Sequence, residues 1–316
     1  AAETGMHAEF VQWQGHDFSF RGMSSLETAV LSGMGHLLSF TGTDTIPAID
    51  ALEQYYNADA DKELIGGSVA ATEHSVMCSG SKDGELETFK RLVTTVYPAG
   101  IVSIVSDTWD LWKVCTEYLP ALKEIILQRD GKVVIRPDSG DPVKIICGDP
   151  NGKTEPEQKG VVELLWDVFG GSITPKGYKL LDPHIGAIYG DSINLERAAQ
   201  ICDGLKAKGF ASQVVFGIGS FTYQYNTRDT FGTAMKATYV VVDGEGREIF
   251  KNPVTDDGTK RSATGLLNVQ QENGRYVLYD KVSWEEEATS ELKTVFKDGK
   301  ITKEFTLAEI RKTLAK

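Results

Sequence analysis

The sequence predicts an α/β fold: a (β/α) barrel-like domain over residues 1–225, followed by a smaller α+β region over 226–316. Three observations predict it. Short apolar, β-branched runs alternate with amphipathic stretches from about residue 20 to residue 225, the rhythm of a parallel sheet wrapped in helices. Four of those runs end on charged or glycine-rich punctuation at what would be strand ends. After Arg228-Asp229 the texture changes to short strands and hairpin turns, a basic patch (Lys251, Lys260, Arg261) and a closing helix over Phe305–Leu314.

The strand ends carry most of the information. Val133–Ile135 runs into Arg136 and Asp138 and stops on Pro137, Gly140 and Pro142. Ile101–Val105 closes on Asp107, Ile185–Tyr189 on Gly190 and Asp191, and Gln213–Phe216 on a Gly/Ser loop through Ser220. Asp and Gly commonly punctuate turns. In parallel α/β folds, however, the carboxyl ends of the strands form the ligand face, and four such ends favour a barrel. They point to loops converging on one polyanionic, Mg²⁺-dependent or sugar-bearing ligand.

Taken in order, residues 1–15 carry little pattern. Gly15–Gly22 alternates polar and aromatic residues. It reads either as a strand with Phe18 and Phe20 in the core, or as an aromatic plane beside the Arg21 guanidinium, suited to stacking a flat ring and holding a phosphate. Ser24-Ser-Leu-Glu27 has capping-box spacing and predicts a helix through about Phe40. Asp44, ahead of Pro47, is either the cap of the next helix or a carboxylate at a strand end. Glu73-His74 follows a loop of small residues, where a histidine flanked by carboxylates could act as a base or accept a phosphoryl group. Residues 84–97, 108–128, 161–169 and 194–208 read as helices, residues 149–156 as a polar surface loop, and Asp243–Gly246 as a hairpin turn.

Bulk composition narrows the partners. A formal net charge of −12 argues against nucleic acid and anionic membrane, both of which need a basic face. Four widely spaced cysteines with no CxxC suit reduced thiols in a cytoplasm. No apolar run approaches the length of a membrane span.

The motifs, in this order, resemble those of the nicotinamide phosphoribosyltransferases, type II phosphoribosyltransferases. The residues that carry the likeness are His16-Asp-Phe-x-Phe-Arg-Gly22, Gly42-Thr-Asp44, Ser68-Val-x-Ala-x-Glu-His-Ser75, Val105-Ser-Asp107, Ile135-Arg-Pro-Asp-Ser-Gly140, Lys176-Gly-Tyr-Lys179, Gly190-Asp191, Thr227-Arg-Asp229 and Phe250-Lys-x-Pro-Val254. The resemblance implies a phosphoribosyltransferase barrel that forms nicotinamide mononucleotide and pyrophosphate from nicotinamide and phosphoribosyl pyrophosphate in NAD salvage. It also implies Mg²⁺, and ATP as an optional co-substrate. Phe18 would stack on the pyridine ring, Asp44 would accept from the carboxamide, and Arg136 and Ser103 would flank the ring. Asp138, Gly190 and Asp191 would surround the ribose, with Asp107 near the Mg²⁺-pyrophosphate. Arg21, Gly219, Ser220, Arg228 and Lys236 would bind phosphate, with Lys260 nearby. His74 would be the phosphorylated histidine, oriented by Glu73 and Asp107. A homodimer with shared sites is implied too, Arg228 and Lys236 reaching the neighbouring subunit.

Three features depart from the family pattern. The phosphate loop Gly217–Phe221 is poorer in glycine, Ser19-Phe20 replaces a Gly-Tyr pair, and a segment preceding the His-Asp-Phe motif is missing. Two other readings stay open. One is a nicotinate phosphoribosyltransferase, against which Asp44 speaks because two carboxylates repel. The other is a non-catalytic fragment that binds the same ligands.

Overall fold

The structure is a computed structural model describing residues 1–190, 192–232, 235–255 and 262–315. The chain divides into two compact units. The first comprises residues 1–236 and 251–261, the second residues 237–250 and 262–316.

The first unit is built on a parallel sheet. Its strands, in chain order, are β1 (Gly15–Asp17), β2 (Gly42–Thr43), β3 (Ala70–Ala71), β4 (Val102–Val105) and β5 (Val133–Arg136). An antiparallel excursion, β6 (Gly171–Ile173) and β7 (Lys179–Leu181), precedes β8 (Ile185–Tyr189) and β9 (Val214–Ile218). The seven parallel strands lie in the order β2-β1-β9-β8-β5-β4-β3. The sheet curls: Gly67, just ahead of β3, accepts from the Thr43 amide at 3.0 Å and donates to the Thr41 carbonyl at 2.8 Å. A bridge of backbone bonds thus ties one sheet edge to the chain entering the other.

Register explains why the sheet has one fat face and one spare face. Paired residues of parallel strands project from the same side. Ala71, Ser103, Val134 and Gly186 form one such row, and Gly42, His16 and Gly217 another. These side chains are small or polar. The alternate residues Val133, Ile135, Ile185, Ala187, Val214 and Phe216 enter the apolar core. There they meet Phe89, Leu119, Ile126, Leu165 and Ile201 from the surrounding helices. The α/β barrel-like architecture is as the sequence predicts.

Local differences have physical reasons. The helix Leu26–Leu37 is capped by Ser25, whose hydroxyl accepts the Thr28 amide while Thr28 reaches back; the capping box lies one residue later than Ser24–Glu27. The strand β1 stops at Asp17 because Phe20–Gly22 turns into a 3₁₀ helix, which leaves Phe20 40% exposed rather than in the core. Within 149–156, Thr154 caps a short helix, Glu155–Lys159.

In the second unit, three hairpins form: β10 (Tyr239–Val242) with β11 (Glu245–Glu248), β12 (Leu267–Glu272) with β13 (Arg275–Asp280), and β14 (Phe296–Lys297) with β15 (Lys300–Ile301). Their turns, Asp243-Gly244, Asn273-Gly274 and Asp298-Gly299, have positive φ at both residues, the conformation a tight hairpin needs. The closing helix is Leu307–Leu314.

Candidate functional site at the strand ends

At the ends of β1 and β2, five side chains meet. Asp44 is not a helix cap: the next helix, Pro47–Tyr56, starts after Ile46 without a side-chain cap. Instead one carboxylate oxygen of Asp44 takes His16 Nε2 at 2.9 Å and the Ser68 hydroxyl at 2.6 Å. Burial pushes this carboxyl up, but the bonds from His16 and Ser68 and the charge of Arg136 outweigh it, so Asp44 lies below the ordinary carboxylate range. The His16 ring lies 4.5 Å from the Phe18 ring, and the Arg136 guanidinium sits 5.1 Å over Phe18. A Cβ on Gly217 would come within 2.7 Å of the Phe18 ring and 2.9 Å of Gly190 Cα. Ring, glycine loop and carboxylate are therefore one packed group.

A second group lies at β3–β5. Asp107 is fully buried. One of its oxygens meets His74 Nε2 at 3.1 Å; the other accepts the Asp138 amide at 3.0 Å and the Ser139 hydroxyl at 2.5 Å. Burial pushes the Asp107 carboxyl up, yet these donors, His74 foremost, hold it below its usual value. Ser139 donates to the carboxylate, so it accepts from Thr255 at 2.5 Å, which lengthens the relay by one hydroxyl. Because a carboxylate only accepts, Nε2 of His74 is the donor in this contact. Glu73 precedes the helix His74–Ser79 in extended conformation, and its carboxylate lies 4.0 Å from the Arg21 guanidinium.

The third group is a pocket of about 370 Å³ between β1, β8 and β9. Phe18 and Gly190 form one end. Gly219, Ser220 and three arginines, Arg21, Arg197 and Arg228, also line it, with one acidic residue among the described residues, Asp229. Ser220 is seated by Gly22, where a Cβ would strike its hydroxyl at 2.1 Å. Such a balance of donors and cations suits a phosphate monoester.

Of the residues read from the sequence, Phe18, Asp44 and Arg136 come together, as do His74, Asp107 and Asp138, and Arg21, Gly190, Gly219, Ser220 and Arg228. Ser103 is buried, its hydroxyl without a partner, on the spare face of β4. Lys236 is exposed and outside the pocket lining. Asp191 and Lys260 lie outside the described residues. Sequence reasoning missed the roles of His16, Ser68, Ser139, Thr255 and Arg197. His16 and Ser68 stand inside recognisable motifs, whereas Thr255 has no local signal at all.

Mg²⁺ fits this site only at a distance from Asp107, whose two oxygens already accept three hydrogen bonds in a position closed to solvent. Among the described residues, no cluster of three or more His, Cys, Asp or Glu side chains is placed to hold a metal ion.

A curled parallel sheet wrapped in helices, with an arginine-lined pocket beside an aromatic–carboxylate pair at its strand ends, defines an α/β barrel-like domain. The sequence profile of the nicotinate phosphoribosyltransferase (NAPRTase) family matches residues 13–300, and the chain belongs to that family. It is similar to the nicotinamide phosphoribosyltransferase of Acinetobacter baylyi, 57% identical over 323 aligned positions that take in 100% of this chain and 63% of the relative. The enzyme of the same name from Mycoplasma pneumoniae is 42% identical over 85% of the chain and 56% of its own length. That of Xanthomonas campestris is 36% identical over 94% and 61%. The chain thus spans about six tenths of the length of these curated relatives.

Proposed function

We propose that this chain carries the catalytic core of a nicotinamide phosphoribosyltransferase, which joins the ring nitrogen of nicotinamide to C1 of phosphoribosyl pyrophosphate and releases pyrophosphate. The observation that carries the reading is the anionic Asp44, steadied by His16 and Ser68 beside Phe18. An acceptor there suits the carboxamide NH₂ of nicotinamide and repels the carboxylate of nicotinate. The names of the relatives support the same base.

In this reading Phe18 supplies a face for the pyridine ring and Asp44 fixes its rotation, so the nitrogen is held in line with C1. The 5′-phosphate sits among Arg21, Arg228, Gly219 and Ser220, with the ribose by Gly190 and Asp138. As the C–O bond to pyrophosphate breaks, positive charge grows on the sugar, and the Asp138 carboxylate stabilises it. Mg²⁺ arrives with phosphoribosyl pyrophosphate as part of that substrate and leaves with pyrophosphate.

His74 serves ATP. Its Nδ1 lone pair attacks the γ-phosphorus, ADP departs, and Asp107 stabilises the imidazolium through Nε2–H. The same reading has a cytoplasmic homodimer, and the four free cysteines suit a reducing compartment. In that homodimer Arg228, which lines the pocket of its own chain, and Lys236 would also serve a neighbouring copy.

The test is product analysis after incubation with Mg²⁺, phosphoribosyl pyrophosphate and either base, alongside calorimetric binding of each. Nicotinamide mononucleotide is the expected product. Preferential turnover of nicotinate would overturn the choice of base, and binding of both substrates without turnover would make the chain a binding module.

A further inference from the structure

Arg197 is a cation in an unfavourable place. It lies in the first turn of the helix Leu195–Ala207, where the Asn194 side chain accepts its amide at 2.9 Å. Amide N–H groups give that end of a helix partial positive charge, so anions are favoured there and an arginine is not. Its side chain is half-buried against the pocket that also holds Arg21 and Arg228. One terminal nitrogen donates to the Ser192 carbonyl at 2.6 Å. That bond orients the guanidinium and leaves its other two nitrogens for a ligand. Ser192 itself sits at a φ of 59°, a left-handed conformation that side chains resist. Among the described residues of the lining, three arginines face one acidic residue, Asp229, and the Glu73 carboxylate, 4.0 Å from Arg21, offsets part of that charge.

We propose that Arg197 is a phosphate ligand: with Arg21 and Arg228 it closes a three-guanidinium ring around the 5′-phosphate of the pentosyl donor and of the mononucleotide product. It thereby sets the preference for phosphorylated over unphosphorylated ribosides. The inference rests on the function proposed above and adds to it a residue and a source of specificity. It also accounts for the first-turn arginine, because a bound dianion removes the conflict with the helix end.

Calorimetric titration with nicotinamide mononucleotide and with nicotinamide riboside separates the two roles of Arg197, since the riboside lacks only the phosphate. Arg197→Gln is expected to weaken the mononucleotide by about ten- to a hundredfold, the loss of a charge-assisted hydrogen bond, and to leave the riboside within about twofold. Arg197→Lys, which keeps the charge but not the planar fork, should fall between them. It gives the same reading if the glutamine variant does not fold. Equal weakening of both ligands would reduce Arg197 to a brace for the Ser192 loop and overturn the proposal. A wild-type protein that binds the mononucleotide tightly, with an unchanged preference in both variants, would overturn it as well. If the wild-type protein does not prefer the mononucleotide at all, the phosphate reading of the whole pocket fails first.

Discussion

Replacing Asp44 with asparagine is the sharpest probe of substrate choice, because the surroundings of the carboxylate can survive the change. Both donors, His16 Nε2 at 2.9 Å and Ser68 Oγ at 2.6 Å, converge on Oδ1. The asparagine keeps an acceptor at that position and presents an NH₂ where Oδ2 stood. Nicotinamide then meets a donor instead of an anionic acceptor and loses a charge-assisted bond of about 1.5–3 kcal/mol, or roughly 10- to 150-fold in kcat/KM. Nicotinate no longer faces a like charge and gains an NH₂ to accept from. The ratio of the two kcat/KM values should therefore move by about two orders of magnitude or more towards nicotinate. The assay is initial rate against base concentration at saturating phosphoribosyl pyrophosphate, with circular dichroism to verify the fold. If both values fall together and their ratio stays put, Asp44 braces His16 and Ser68 without choosing the base.

Three further outcomes follow from the geometry. His74→Ala should abolish acid-labile phosphorylation by ATP while slower ATP-independent turnover persists; phosphate still appearing on the variant would refute the assignment of Nδ1. Gly217→Ala should drive the Phe18 ring from its seat, since the new methyl lies 2.7 Å from it, raising the KM for nicotinamide at least tenfold (about 1.4 kcal/mol); the same methyl lies 2.9 Å from Gly190 Cα, so stability should fall by about 1–3 kcal/mol as well. Glu85 is a buried carboxyl pushed up to about 7, first by burial and then by the charge of Asp110. The folded state keeps this proton between pH 4.5 and about 7, where the unfolded chain has lost it, so stability falls as pH rises through that window. Glu85→Gln should accordingly stabilise the protein at pH 8 by about 2 kcal/mol and do little at pH 5, as read from urea midpoints.

Sequence patterns were clearest where the signal was local. The strand-end punctuation at Asp107, Arg136, Asp138 and Gly190 could be seen because each lies directly after an apolar run of fixed length. Choices between two local meanings were harder. Asp44 before Pro47 satisfies the pattern of a helix cap as well as that of a site carboxylate, and only the contact with His16, 28 residues away, decides. Of the two carboxylates that the sequence offers His74, the adjacent Glu73 and Asp107 33 residues on, it is Asp107 that meets Nε2, at 3.1 Å. Ser139 and Thr255, separated by 116 positions, leave no periodic trace of their contact. Arg197 did leave one, since an arginine in a first helical turn breaks the usual charge preference.

The glycine-poor Gly217–Phe221 loop illustrates how a residue pattern can change while its spatial requirement is kept. Ile218 is the last residue of β9, so it needs no unusual backbone, and Ser220 opens the short helix Ser220–Gln224 with its hydroxyl turned inward. Neither position demands a glycine. The demand falls on Gly217, which makes room for the Phe18 ring, and on Gly22, in a different segment, which makes room for the Ser220 hydroxyl. A serine in place of a loop glycine therefore trades backbone approach for a side-chain donor, on condition that the opposing position stays without a Cβ. Gly22→Ala should expose that condition: with its methyl 2.1 Å from Ser220 Oγ, it should impair phosphate binding and leave the Asp44 end intact. Restoring binding by adding Ser220→Gly to Gly22→Ala would identify the clash as the cause; continued loss in the double variant would mean that the Ser220 hydroxyl is itself a required ligand.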